Sequence, residues 1–255
     1  MSTSSEQSGN FALVQHTSAH HHAADGGIAV AGFSTIGMVG VIAASHVIRT
    51  LDLQHVGSVL DKRFPAVALI HDQVPKHPVR IHAGDGIGVF TAEIQFENIH
   101  DVQFANTVFE WFIEGGHQTL FIIDGLVRQE VASPTSHLFA VGSTPATRQA
   151  LDEAGIDQIE QGIVAGIAGH ILSEGERLGV DVIALMPECN PMYPDARAAA
   201  LAVEAIDRLT DFNIPIDELL DDAQQIESSV QEIFQRAQTM LPSPKGDDEI
   251  DPMVG

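Results

Sequence analysis

The chain has 255 residues, with 35 acidic side chains against 12 basic ones and a formal charge of -23. Such a balance argues against nucleic acid and anionic membranes as partners, because both need a basic surface. Hydrophobic residues make up 44% of the sequence, enough to bury the core of one large α/β domain or two small ones.

The acids are dispersed, and lysine occurs only at Lys62, Lys76 and Lys245. That pattern fits a halophilic, acidic surface in a salt-rich cytoplasm, where ions screen the self-repulsion. Cys189 is the only cysteine, so no intramolecular disulfide can form; it reads as a small buried apolar residue. No cationic segment precedes a long apolar run, and no stretch reaches membrane-spanning length free of charge or loop residues. The protein is expected to be soluble and cytoplasmic.

In chain order, residues 1–26 read as a partly disordered N-terminal segment, with 11–14 as an edge strand. His16, His20, His21 and His22 raise the question of a metal site. No Asp/Cys ligand set with fixed spacing accompanies them, so no metal and no cofactor is expected. Residues 28–51 form the first strand–turn–helix unit: apolar Ile28 to Ala31, a turn spaced by Gly32, Gly37 and Gly40, then Val41, Ala44, Ile48 and Leu51 on one helix face. The glycines match neither GxGxxG nor a P-loop. Close packing of helix on strand is the reading they favour, with phosphate binding as the alternative.

Phe64 to His71 reads as a strand. Val79 to Ala83 and Ile87 to Phe96 flank Gly84-Asp85-Gly86, a hairpin signal. His100 to Glu114 reads as a helix that Gly115-Gly116 stops. Thr119 to Asp124 and Leu138 to Gly142 are apolar strand runs. Thr144 and Pro145 open the next helix and Gly155 ends it. Gly162, Gly166 and Gly169 lead into another helix, and Val180 to Met186 is the last clear strand. The expected fold is α/β and three-layered: a mostly parallel sheet with helices on both faces, one β-hairpin and a long C-terminal helix. Residues 27–220 would form its single domain.

The loop Pro187 to Asp195 follows that strand, at the edge where open α/β sheets bind ligands. Gly32, Gly37, Gly40, Glu188, Asn190 and Asp195 therefore make a candidate ligand cleft. Glu188 and Asp195 could act as a carboxylate pair, but Asp195 starts a helix, where capping is the ordinary role. His46, His117, His137 and His170 lack a paired nucleophile and read as structural. From Asp217 a helix runs to about Leu241. In it Ile226, Val230, Ile233 and Ala237 form a heptad seam suited to a homo-oligomer. Residues 242–255 read as a disordered acidic tail ending in Met253-Val254-Gly255.

The glycine unit at Gly32 to Gly40, the stretch Gly162 to Ile206 with its YPDARAA element at Tyr193 to Ala199, and the closing acidic helix stand in an order that resembles the archaeal proteasome assembly chaperone family. The resemblance covers roughly residues 28–237. It implies a phosphorylase-like α/β fold, self-assembly, and help in building the 20S proteasome by binding its α-subunits or a paralogous chaperone. Some relatives end in a hydrophobic–tyrosine–any tripeptide that docks on those subunits. Here Met253, Val254 and Gly255 keep the apolar residue and lack the tyrosine. The family brings no catalytic residues, so the chain is not expected to be an enzyme. A phosphorylase-fold enzyme and a small-ligand binding protein are the alternatives, and fold analogy alone supports them.

Overall fold

The computed structural model describes residues 11–15, 27–71, 73–95, 97–127 and 137–224. The N-terminal histidine group, the seam residues Ile226, Val230, Ile233 and Ala237, and the tail with Met253, Val254 and Gly255 lie outside them. Of the expected C-terminal helix, residues 217–224 are described and helical (α6).

One sheet organises the chain. Its strands are β1 (Ala12–Gln15), β2 (Ile28–Phe33), β3 (Gln54–Leu60), β6 (Val79–Gly84), β7 (Ile87–Ala92), β8 (Thr119–Ile123), β10 (Leu138–Gly142), β11 (Asp157–Gln158) and β12 (Asp181–Cys189). They lie in the order β1-β3-β6-β7-β2-β8-β12-β10-β11, and the short β9 (Leu126–Val127) pairs with the end of β12. Five helices join them: α1 (Val39–Thr50), α2 (Asp101–Glu114), α3 (Pro145–Glu153), α4 (Gly166–Leu178) and α5 (Ala196–Thr210).

The centre is parallel, and β12 shares the sheet with β2 through β8. The sheet as a whole is mixed, which corrects the mostly parallel expectation. β1, β3, β6 and β7 pair antiparallel in turn, and β10 runs antiparallel to β12. The reason is local. No helix separates β6 from β7, which turn through Asp85-Gly86 with Gly86 at φ 78. A connection that short can only reverse direction.

Side chains alternate across the central strands. Val30, Phe121 and Ile183 stand side by side and face α1, α3, α5 and α6. Ala31, Ile122 and Ala184 face the other way, toward α2 and α4. Phe104 and Phe112 of α2 are fully buried on that second face. Burying each contributes about 2 kcal/mol.

Two stretches differ from their sequence pattern. β3 is a full strand although Gln54, His55 and Ser58 make it polar, and a bulge between His55 and Gly57 breaks its alternation. The apolar run 64–71 does not enter the sheet. Only Leu69–His71 (β4) is extended, paired with Val74–Lys76 (β5) in a separate ribbon, so the described residues hold a second hairpin. Pro65 is the second residue of the run and Pro75 sits in β5, and a proline cannot donate to a sheet ladder. The ribbon leaves Ile70 and Val74 exposed, as is Val67 just before it. Arg80 and His71 both meet Glu93 where it joins the sheet.

Candidate functional site

The parallel strands β2, β8 and β12 end together, and the segments that follow them surround a cleft of about 600 Å³. Its walls are the turn 34–38 after β2, Asp124 after β8, the loop 191–194 after β12, and the first turns of α2 and α4.

The turn after β2 is tight because two backbones nearly touch. A Cβ on Gly32 would lie 2.1 Å from the Gly40 carbonyl oxygen, and one on Gly40 would lie 2.6 Å from the Ile123 carbonyl oxygen. Small residues at both points let α1 rest on β2 and β8. Gly37 and Met38 then adopt left-handed angles, φ 62 and 52. For Met38 that conformation costs on the order of 1–2 kcal/mol. Met38 stays 38% exposed and lines the cleft.

The loop after β12 is pinned to this turn. The Asp195 amide donates to the Gly37 carbonyl (2.8 Å), and the Cys189 thiol faces the Ile36 carbonyl (3.6 Å). The Asp195 carboxylate accepts from the Ala198 amide (3.0 Å) as the cap of α5 and from the Asn190 amide (2.9 Å). Asn190 Oδ1 in turn accepts from the Met192 amide (2.8 Å). Gly125 lets β8 pass under this junction, since a Cβ there would lie 2.4 Å from the Ile36 carbonyl oxygen.

Of the residues expected in a cleft, Gly37 is in the lining. Gly32 and Gly40 lie beneath it as packing contacts. Asn190 and Asp195 shape the loop from behind. Glu188 turns toward β10, where its carboxylate accepts from the His137 amide (3.4 Å) and its own amide donates to the His137 carbonyl (2.8 Å). The structure therefore does not bring Glu188 and Asp195 together as a pair. The histidines are engaged elsewhere: His46 Nε2 with the Pro215 carbonyl (2.7 Å), His117 Nδ1 with the Phe112 carbonyl (3.2 Å), and His170 Nε2 with Asn106 (2.8 Å).

Two acids that sequence reasoning passed over do face the cleft, Asp101 and Asp124. Asp124 ends the apolar run of β8, and its Oδ1 accepts from the Gly125 amide (2.8 Å). Burial pushes its carboxyl above the ordinary range, against the opposing pull of Thr35 and that amide. Burial also raises Asp101, with His100 opposing. For Asp124 alone the signal was available in the sequence. A polar residue directly after a buried strand stands at the carboxyl edge, where α/β ligands bind. A second hollow, of about 610 Å³, lies at the other end of the same strands, between Gly27, Gln118 and Phe212.

These features define a class: a three-layer α/β protein with a ligand-sized cleft at the carboxyl ends of its central parallel strands. Within that class the chain belongs to the PAC2 family, whose pattern matches residues 29–234. An uncharacterized protein of Methanocaldococcus jannaschii is 22% identical over 214 residues, covering 84% of this chain and 88% of that one. Among solved structures, Pyrococcus furiosus PbaA, an archaeal homolog of proteasome-assembly chaperone, superposes with a TM-score of 0.78 at 23% identity, covering 84% of this chain and 90% of PbaA. Pyrococcus furiosus PbaB, an archaeal proteasome activator, gives 0.75 at 19% identity, covering 88% of this chain and 99% of PbaB.

Among the described residues no group of three or more His, Cys, Asp and Glu side chains is placed to hold a metal ion. None of their helices is long and apolar enough to cross a membrane.

Proposed function

We propose that this chain is a proteasome assembly chaperone-like protein that self-associates and binds proteasome subunits to assist 20S assembly. The observation that carries this reading is the shared fold: PbaA and PbaB, whose described roles are tied to the proteasome, match most of the chain. Family membership over residues 29–234 supports it.

In this reading residues 27–220 form the chaperone domain, with Ala12–Gln15 adding an edge strand. The helix from Asp217 makes the oligomer contact through Ile226, Val230, Ile233 and Ala237. Leu219 and Ala223, earlier on the same apolar stripe, are buried against the domain, and Glu218 pairs with Arg49 (3.1 Å). The stripe is anchored at its start, and in this reading its continuation meets a second copy. Met253, Val254 and Gly255 act as a weak dock for proteasome α-subunits, because valine lacks the amphipathic ring of tyrosine. The role is non-catalytic and cytoplasmic, and the chain acts without a cofactor.

Co-expression with proteasome α- and β-subunits in concentrated KCl tests the reading. A tagged full-length chain should retain α-subunits and speed the appearance of 20S particles. Ile233→Asp should lower the mass of the chaperone measured by light scattering. No retention of α-subunits and no change in 20S yield would overturn the chaperone role. An unchanged mass for Ile233→Asp would remove the seam from it.

A further inference from the structure

The cleft is lined in part by apolar side chains that stay exposed among the described residues. Ile36 and Met38 on one wall are 39% and 38% exposed, and Met192 on another is 86% exposed. Just beyond the lining, Ile99 follows Asn98 and Ile163 precedes Ala165 by two residues; they are 74% and 94% exposed. Single exposed apolar residues are ordinary on any protein. Three in the wall of one hollow, with Ile99 and Ile163 next to its lining in sequence, make an apolar surface of the kind that marks protein contacts.

Among the described residues the charge lining the hollow is of one sign: Asp101 and Asp124 line it, and no described Lys, Arg or His does. Burial raises both carboxyls, so each would gain from an incoming cation. An anion fits poorly. The first turn of α4 opens toward the cleft at Gly166, but Asp101 Oδ2 already faces it, 3.5 Å from where a Cβ on Gly166 would stand.

We propose that this cleft docks a protein segment that sets one lysine or arginine side chain against Asp101 and Asp124 and lays its apolar neighbours on Ile36, Met38 and Met192. The cation supplies specificity, through charge-assisted hydrogen bonds to two partly buried carboxylates. The apolar surface supplies buried area. This goes beyond the chaperone reading, since it holds for any protein client that presents such a segment.

The test uses the full-length chain and fluorescent peptides of sequence Ala-Leu-X-Leu-Ala, blocked at both ends, with X as Lys, Arg, Gln or Glu. Binding is followed by anisotropy. The Lys and Arg peptides should bind about tenfold or more tightly than Gln, with Glu weakest. Asp124→Asn and Asp101→Asn should each remove most of the Lys preference and leave the Gln peptide unchanged. Met192→Ser should weaken all four. Circular dichroism of each variant separates lost binding from lost fold. Equal binding of the Lys, Gln and Glu peptides, or binding of none, would overturn the proposal. So would n-butylammonium competing as strongly as the Lys peptide, because the cleft would then be a small-amine site. None of these outcomes bears on retention of proteasome subunits, so the two readings fail separately.

Discussion

The backbone amide of Asp195 donates to the carbonyl of Gly37 at 2.8 Å, joining the last loop of the sheet to its first turn. The two residues are far apart in sequence, yet this bond closes one wall of the cleft. The Asp195 side chain holds the same junction from the other side, through the amides of Asn190 and Ala198. Replacing it with alanine removes a helix cap and a loop tie together. Asp195→Ala should cost about 2 kcal/mol, which for a chain of this size is about 4–8 °C in Tm. Asp195→Asn, which keeps an acceptor, should cost less. Thermal unfolding followed by circular dichroism measures both, and an unchanged Tm for the alanine variant would mean that the loop holds itself.

Gly125 passes beneath the same junction. A Cβ there would meet the Ile36 carbonyl oxygen at 2.4 Å and Cys189 Sγ at 2.7 Å. The backbone atom has little room to move, so Gly125→Ala should destabilise by about 1–3 kcal/mol. Gly162→Ala is the control. Its nearest neighbour would be Ile159 Cγ2 at an ordinary 3.4 Å. It should stay within about 0.5 kcal/mol of the parent. Denaturant midpoints compare the two.

Asp124 makes a prediction with a definite sign. Burial raises its pKa above the ordinary 3.8, so the folded state holds this proton more tightly than the unfolded chain does. The contribution favours folding below the ordinary value and is lost as pH rises through the raised one. Asp124→Asn should therefore stabilise the protein at pH 7, with the gain fading toward pH 3. A loss of stability at pH 7 would mean that the charged carboxylate has a folded partner.

His82 works in the opposite sense. It lies on β6 beside His55, with ring centroids 5.2 Å apart. Burial above all, then His55, Arg80 and Lys76, pushes its pKa down from 6.5 to about 3. Its contribution to stability is present above 6.5 and is lost as pH falls from there toward about 3. His82→Gln should flatten the acid limb of the stability curve across that window. Identical slopes for parent and variant would rule out His82 as its source.

Strong periodic patterns in the sequence matched the structure where tertiary context agreed with them. The pattern of Ile28 to Leu51 is the strand and helix observed, because an apolar run and a 3.6-residue stripe need no distant partner to be recognised. Asp195 likewise announces its cap. β3 was hidden because its polar residues and bulge resemble a loop, and only its neighbours β1 and β6 make it a strand. Residues 64–71 misled in the other direction, since apolar content cannot tell a sheet strand from an exposed ribbon. The cleft was half legible. The loop after β12 pointed to the edge where the hollow lies, but Asp101 and Asp124 come to line one hollow only through the topology, and no spacing in the sequence encodes that.

The most direct measurement of the central claim is the native mass of the full-length chain mixed with purified proteasome α-subunits in concentrated KCl. The chaperone reading predicts a complex heavier than either component. Val254→Tyr should increase it, and deleting Met253, Val254 and Gly255 should reduce it. Two unshifted peaks, at every α-subunit concentration and with every tail variant, would contradict the reading.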